Sequence, residues 1–187
     1  MSLLLQQIKE ANNIFVACQL KSAKAPVCKY PTRKLAILAC MDTRLVSFLE
    51  PAMGISRGEA KVIKVAGNVV YTDFDSVIGS LMVAVYELQV QEILVMGHDD
   101  CGMLHTTAAS LCAKMKARGI AASDIEKIHP QLQKWADPIE NITTSVMTTV
   151  EHLRKNPYLP ADVLIHGAVI HPDTGRITIL SDGSDRE

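Results

Sequence analysis

Three short apolar runs restrict this chain more than any other feature of it: Leu35-Ala36-Ile37-Leu38-Ala39-Cys40, residues 93–97 and residues 163–170. Each is nearly continuous in apolar or small residues rather than alternating with polar ones. Such a run suits a strand buried on both faces of a parallel sheet, although periodicity alone does not separate it from a buried helix segment. The stretches between them carry helical period. After the first run comes a further strand candidate at 61–66, stopped by Gly67-Asn68. Asp75 can then cap a helix on which Ile78, Leu81, Met82, Val85 and Leu88 share a face. A helical stretch over 103–118 ends at Gly119, and Ser123-Asp124-Ile125-Glu126 fits a capping box for the next helix. Asp137-Pro138 fits a cap and first-turn proline for a longer one bearing Ile139, Ile142, Val146, Val150 and Leu153. The Pro172-Asp173-Thr174-Gly175 turn leads from the last run into 176–180, which predicts an antiparallel hairpin.

Strands alternating with helices predict an α/β fold: a mainly parallel β-sheet flanked by helices, with an antiparallel edge hairpin at the C-terminus. With 187 residues and no repeat or low-complexity tract, residues 1–187 are expected to form a single domain. Residues 1–30 stand somewhat apart from it. Leu4, Ile8, Ala11, Phe15 and Cys18 form an apolar stripe on a helix over 3–20, and a loop with two prolines follows over 21–34.

The formal net charge of −1 gives no global field to draw nucleic acid or an anionic membrane. No run reaches the roughly 18 apolar residues of a membrane span. Five cysteines without a secretory leader read as reduced thiols in a cytoplasmic setting rather than a disulfide framework. Neither G-x-G-x-x-G nor G-x-x-x-x-G-K-[ST] occurs, so nucleotide binding has no motif behind it.

Ligands of parallel sheets sit beyond the carboxyl ends of the strands. Two strand candidates end there in polar clusters: Cys40-Met41-Asp42-Thr43-Arg44 and Gly97-His98-Asp99-Asp100-Cys101-Gly102. Cys40, His98 and Cys101 offer two sulfurs and a nitrogen. Zinc accepts that set, and three protein ligands with an open fourth position are the catalytic pattern. A lone Cys, or a His near a Cys, is more often incidental; the convergence at two strand ends shifts the balance.

Cys40-x-Asp42-x-Arg44 followed by His98-x-x-Cys101-Gly102 resembles the paired zinc motif of β-class carbonic anhydrases. Ala66-Gly67-Asn68 and Val163-Leu164-Ile165-His166-Gly167-Ala168 with its hairpin resemble further landmarks of that family, its compact subgroup in particular, over residues 35–181. The resemblance implies one Zn2+ per chain on Cys40, His98 and Cys101, with Asp42 and Arg44 as the catalytic dyad and Gly102 offering a backbone N–H to substrate. It implies reversible hydration of carbon dioxide to bicarbonate and a proton through a zinc-bound hydroxide. It also implies a homodimer or higher homo-oligomer in which residues 1–30 pack on a partner subunit. The same resemblance leaves Asp42 able to close the site by occupying the fourth position. The alternatives are hydrolysis of another small linear molecule such as carbon disulfide, or a non-catalytic zinc-binding regulatory protein. The chain departs from many members in carrying Lys64 and Val65 before Ala66-Gly67-Asn68, where an Arg-Asn pair is common.

Other residues have plainer expectations. Cys18 and Cys112 read as core thiols on helices, and Cys28 as a loop thiol. His105 follows Cys101 by four and is weighed as a proton shuttle against an ordinary helix histidine, which is favoured. His166, His171 and Trp135 read as structural. Asp99 and Asp100 are candidates to orient His98 or Arg44.

Overall fold

The computed structural model describes residues 2–21, 26–137 and 139–185. Among these, five strands form one sheet: β1 (Leu35–Cys40), β2 (Ala60–Val65), β3 (Glu92–His98), β4 (Leu164–Ile170) and β5 (Ile177–Ser181), in the order β2-β1-β3-β4-β5. The first four in that order are mutually parallel, and β5 runs antiparallel to β4. The predicted class, strands and edge hairpin are all present.

The apolar runs are strands buried on both faces. Ala36, Leu38, Ile93, Val95 and Ile165 belong to one apolar cluster, while Ile37, Ala39, Met96, Ala168 and Ile170 belong to another. The two-residue period of a strand sends successive side chains to opposite faces, so a strand covered on both sides must be apolar throughout. Ile37, Leu38, Ile93 and Val95 are wholly inaccessible, each worth about 1.5–3 kcal/mol of transfer free energy.

Among the described residues there are six α-helices: α1 (Leu3–Lys21), which precedes the sheet, and α2 (Leu49–Ala52), α3 (Ser76–Met82), α4 (Ala108–Ala117), α5 (Ala122–Ala136) and α6 (Ile142–Arg154), which connect and flank the strands. Asp75 caps α3 as predicted, its Oδ1 accepting from the Val77 and Ile78 amides at 2.8 and 2.9 Å. A π-helical turn, Val83–Glu87, continues α3. Helix α6 lies against β3 and β4, where two glycines make room for it. A Cβ on Gly97 would stand 2.6 Å from Val146 Cγ2, and one on Gly167 would stand 3.1 Å from Val146 and Val150.

Helix boundaries depart from the sequence reading in two places. Helix α5 begins at Ala122 with Ala121 at its cap, so Ser123 lies inside the first turn and caps nothing. The capping box belongs to α4, where Thr107 and Ser110 satisfy each other's amides. Helix α6 starts at Ile142, capped by Asn141, whose Oδ1 accepts from Thr144 N–H at 2.8 Å. Asp137 instead reaches the N-terminus of α4 and accepts from Ala108 N–H at 2.8 Å. The predicted first-turn residue Pro138 lies outside the described residues. So does part of the 21–34 loop.

The apolar stripe on α1 is left largely uncovered by the described residues: residues 3–20 are all exposed. Cys18 is therefore exposed rather than core, because its helix has no packing surface here. Cys112 is half-buried against α5 rather than in the core. Among the described residues no helix is long and apolar enough to cross a membrane.

Candidate metal centre

Strand β1 has β2 on one side and β3 on the other. The chain thus leaves β1 in one direction and later returns on its opposite flank. This reversal opens a crevice beyond the carboxyl ends of β1 and β3, the usual ligand position in open α/β sheets. Cys40 is the last residue of β1, and His98 is the last of β3. A tight turn through Asp99 and Asp100 brings Cys101 back beside them, and Cys101 begins a 3-10 turn, Gly102–His105. Asp99 N–H fixes that turn to Ile170 O of β4 at 3.1 Å, and Asp100 adopts φ +53°. All three candidate ligands are buried: Cys40 5%, Cys101 1% and His98 0% exposed.

The ligand atoms of Cys40, His98 and Cys101 lie within 4.8 Å of one another. The two sulfurs are 3.9 Å apart, too far for a disulfide. Two thiolates at zinc's bond length and the tetrahedral angle stand about 3.8 Å apart. His98 Nδ1 lies 2.9 Å from Asp99 O, an acceptor, so Nδ1 carries the proton and Nε2 presents its lone pair inward. That Nε2 is buried with no hydrogen-bond partner. A buried acceptor left unpaired is costly, and a cation at the centre of the cluster would satisfy it. On donor type, spacing and this orphaned nitrogen, the residues fit zinc.

Electrostatics favour negative charge on one sulfur of the cluster. Cys40 is pulled down to about 4, first by the hydrogen bond from Cys101, with His98 and the Gly67 amide assisting against burial. Cys101 is pushed up because it keeps its own proton to hydrogen-bond the Cys40 sulfur, and burial adds to this. Burial opposes the His98 cation, but the Cys40 sulfur close beside it raises the His98 pKa overall. The pocket is thus built around negative sulfur. Gly67 N–H donates to Cys40 Sγ at 3.4 Å. Its φ of +67°, and Met103 Cγ at 2.9 Å from where a Cβ would sit, both favour glycine there.

Asp42 and Arg44 form a closed pair at the rim. Arg44 donates from Nε to Asp42 Oδ1 at 3.1 Å and from Nη2 to Oδ2 at 2.9 Å, and its backbone N–H donates to Oδ1 at 2.8 Å. These bonds, the side-chain ones foremost, hold the Asp42 carboxyl down at about 2. Asp42 Oδ2 remains 3.7 Å from His98 Nε2, so the carboxylate borders the ligand cluster. The cavity beside it has a volume of about 380 Å³, and Met41, Ala66, Gly102, Met103 and Thr106 contribute to its walls.

The structure gathers Cys40, His98 and Cys101 in one cluster with Asp42 and Arg44 beside it, and the turn adds detail. Asp99 orients His98 through its carbonyl, and Asp100 binds Arg44 through both its carboxylate and its carbonyl. Gly67, Met103 and Thr106 were not singled out for the pocket. Gly67 had a signal in its place after β2, whereas Thr106 had none. His105 is exposed and does not line the cavity. Lys64 turns toward Leu45 O at 3.4 Å and Glu50 at 3.9 Å. Trp135 packs against the second apolar cluster, and His166 and His171 accept from Gly183 and Asp173 amides. These are structural roles, as expected.

A parallel α/β sheet with two cysteines and a histidine converging at its reversal point defines a zinc-site α/β protein with an Asp–Arg pair at the mouth of the site. A carbonic anhydrase family profile matches residues 35–177. Two Bacillus subtilis proteins provisionally named carbonic anhydrases, YvdA and YtiB, are 38% and 40% identical over 98% and 96% of this chain and 94% and 97% of their own. The crystal structure of β-carbonic anhydrase isoform I from Trichomonas vaginalis superposes with a TM-score of 0.92 at 44% identity, covering 98% of this chain and 100% of that one. The chain belongs to the β-carbonic anhydrase family and is a zinc enzyme of that class.

Proposed function

We propose that Cys40, His98 and Cys101 hold the zinc, one per chain, and that the site hydrates carbon dioxide reversibly to bicarbonate and a proton. The observation that carries this is the buried, unpartnered His98 Nε2 beside two sulfurs 3.9 Å apart, with Asp42 bound to Arg44. Zinc there supplies a Lewis acid that acidifies water and so makes a nucleophile available near neutral pH.

The chain's own groups do the rest. Two thiolates and a neutral imidazole balance the double positive charge of the metal. An added carboxylate would leave the centre negative, so the Arg44 fork that retains Asp42 also keeps the fourth position open. With its pKa near 2, Asp42 is ionised across the working range and acts as a hydrogen-bond acceptor, not as a proton carrier. It accepts from the attacking group and thereby aims that group's lone pair at the substrate. Gly102 occupies the first position of its 3-10 turn, where an N–H has no acceptor within the turn. That N–H donates to the substrate oxygen on which charge grows. Met41, Ala66 and Met103 give the apolar wall suited to a small, uncharged, linear molecule.

A structural zinc is usually enclosed by four Cys or His ligands. Among the described residues this cluster has three, which supports turnover over a purely structural role. Residues 1–187 are read as one domain whose N-terminal 1–30 segment packs on a second copy in a homodimer. The exposed apolar stripe of α1 supports this. The unpaired cysteines support a cytoplasmic setting.

The test is stopped-flow CO2 hydration at pH 8.5 on protein assayed for zinc in the same preparation. Turnover that vanishes in Asp42→Ala while zinc is retained supports the reading. A full zinc complement without turnover at any alkaline pH overturns it.

A further inference from the structure

Arg44 is gripped on two sides. Its Nε and Nη2 serve Asp42, while Nη1 donates to Asp100 Oδ2 at 3.0 Å and Nη2 donates to Asp100 O at 2.8 Å. The two aspartates therefore engage every guanidinium nitrogen. We propose that Asp100 is a positioning residue: it locks the Arg44 guanidinium so that Asp42 is retained in the fork and kept off the fourth metal position. This rests on the reading of the site given above.

The accessibilities separate anchoring from mere charge pairing. The Asp100 side chain is 76% exposed, against 17% for Asp42 and 37% for Arg44. An ion pair so well solvated adds little stability. A long side chain at the rim nevertheless has several torsions to lose. One carboxylate alone leaves the far edge of the guanidinium free to swing, and a swung guanidinium no longer presents Nε and Nη2 together. Asp100 grips that far edge with two acceptors from one residue. It can do so because its backbone sits at φ +53°, which turns both its carbonyl and its carboxylate toward Arg44. This left-handed conformation is open to Asp, Asn and Gly and strained for most other residues. Asp100→Gly thus removes the carboxylate and keeps the turn, while Asp100→Asn keeps a neutral acceptor.

The experiment is azide titration of the cobalt(II)-substituted protein, followed by its visible absorption. Azide reports whether the fourth position is available, independently of CO2 turnover. Asp100→Gly is expected to raise the azide Kd about fivefold and Asp100→Asn by less, as Asp42 escapes its fork and competes for the metal. In an Arg44→Ala background, Asp100→Gly should change the azide Kd no further, because its effect passes through Arg44. With zinc, kcat should fall by a similar factor and KM should move less.

An unchanged azide Kd in Asp100→Gly overturns the proposal. An equal loss with and without Arg44 also overturns it, since that would mark Asp100 as a turn residue only. Wild-type protein that binds zinc without hydrating CO2 would sink the functional reading, yet the cobalt titration would still decide the role of Asp100.

Discussion

Cys40 and Cys18 sit on elements that both carry apolar surface to be covered, β1 and α1, and meet opposite surroundings. Cys40 is 5% exposed, beside residues of β1 with no accessible surface at all. Cys18 lies on a helix whose Leu4, Ile8 and Phe15 are 63%, 53% and 61% exposed. Apolar sequence commits an element to be covered but does not say by what. In β1 the cover comes from this chain, from β2 and β3 at its edges and an apolar cluster on each face. In α1 the stripe has no cover among the described residues, and a second copy is the occupant proposed for it. Rigidity follows the same division. A metal site needs ligand atoms held to within a few tenths of an ångström, and it is built where the chain covers itself.

The strongest way to break this contrast is to make the same substitution at the two cysteines. Cys40→Ser is expected to lower bound zinc well below one per chain and CO2 hydration by more than about a hundredfold. Cys18→Ser, with the same atoms changed on α1, should leave both within about twofold of wild type. Metal analysis and stopped-flow rates on the two purified variants decide it. Equal losses would mean that α1 helps to shape the site.

Covering can also be attacked without touching a ligand. Gly97→Ala puts a methyl group into Val146 and Ile142, where a Cβ would meet atoms at 2.6 and 2.9 Å. The cost is expected to be about 1–3 kcal/mol of unfolding free energy, read as a lower urea midpoint at unchanged slope. His98 follows directly, so zinc affinity should drop with it. Gly119→Ala tests a different cost: its Cβ would meet nothing within 4 Å, and only the φ of +84° penalises it. Removal of residues 1–21 sharpens the comparison from the other side. Sedimentation should show smaller assemblies, while the truncated chain keeps its zinc, because α1 makes no contact that the metal ligands need.

The legible part of the molecule was the self-covered part. Continuous apolar runs marked β1, β3 and β4. The Pro172–Gly175 segment marked the hairpin, and the candidate ligands stood out in the polar clusters at and after the ends of β1 and β3. Harder to read were features decided by an exact backbone angle or by a distant partner. The grip of Asp100 on Arg44 depends on a left-handed φ that sequence only hints at, and Asp42 and Asp100 are 58 positions apart. Ser123 resembled a cap because of the glutamate three residues later, but α5 starts one residue before it. Cys112 looked like core because helical spacing shows which side a residue takes, not whether that side is filled. The π-helical turn at Val83–Glu87 left no signal in the apolar pattern at all.

The smallest effect separates charge at the site from packing at the site. Asp42 has its carboxyl lowered from 3.8 to about 2, chiefly by the Arg44 hydrogen bonds. A carboxyl with a depressed folded-state value contributes stability that is fully present above the unfolded value, and it is lost as pH falls through the folded one. The window is therefore about pH 4 down to pH 2. Between pH 6 and 9 Asp42 stays ionised, so the rise in activity toward alkaline pH, expected because two electron-donating thiolates weaken the metal as a Lewis acid, does not come from it. Asp42→Asn should flatten the acid limb of the stability curve between pH 4 and 2 while leaving the midpoint slope near pH 7 unchanged. Urea unfolding at a series of pH values measures this. An acid limb as steep in Asp42→Asn as in wild type would show that the Arg44 pairing does not persist in solution.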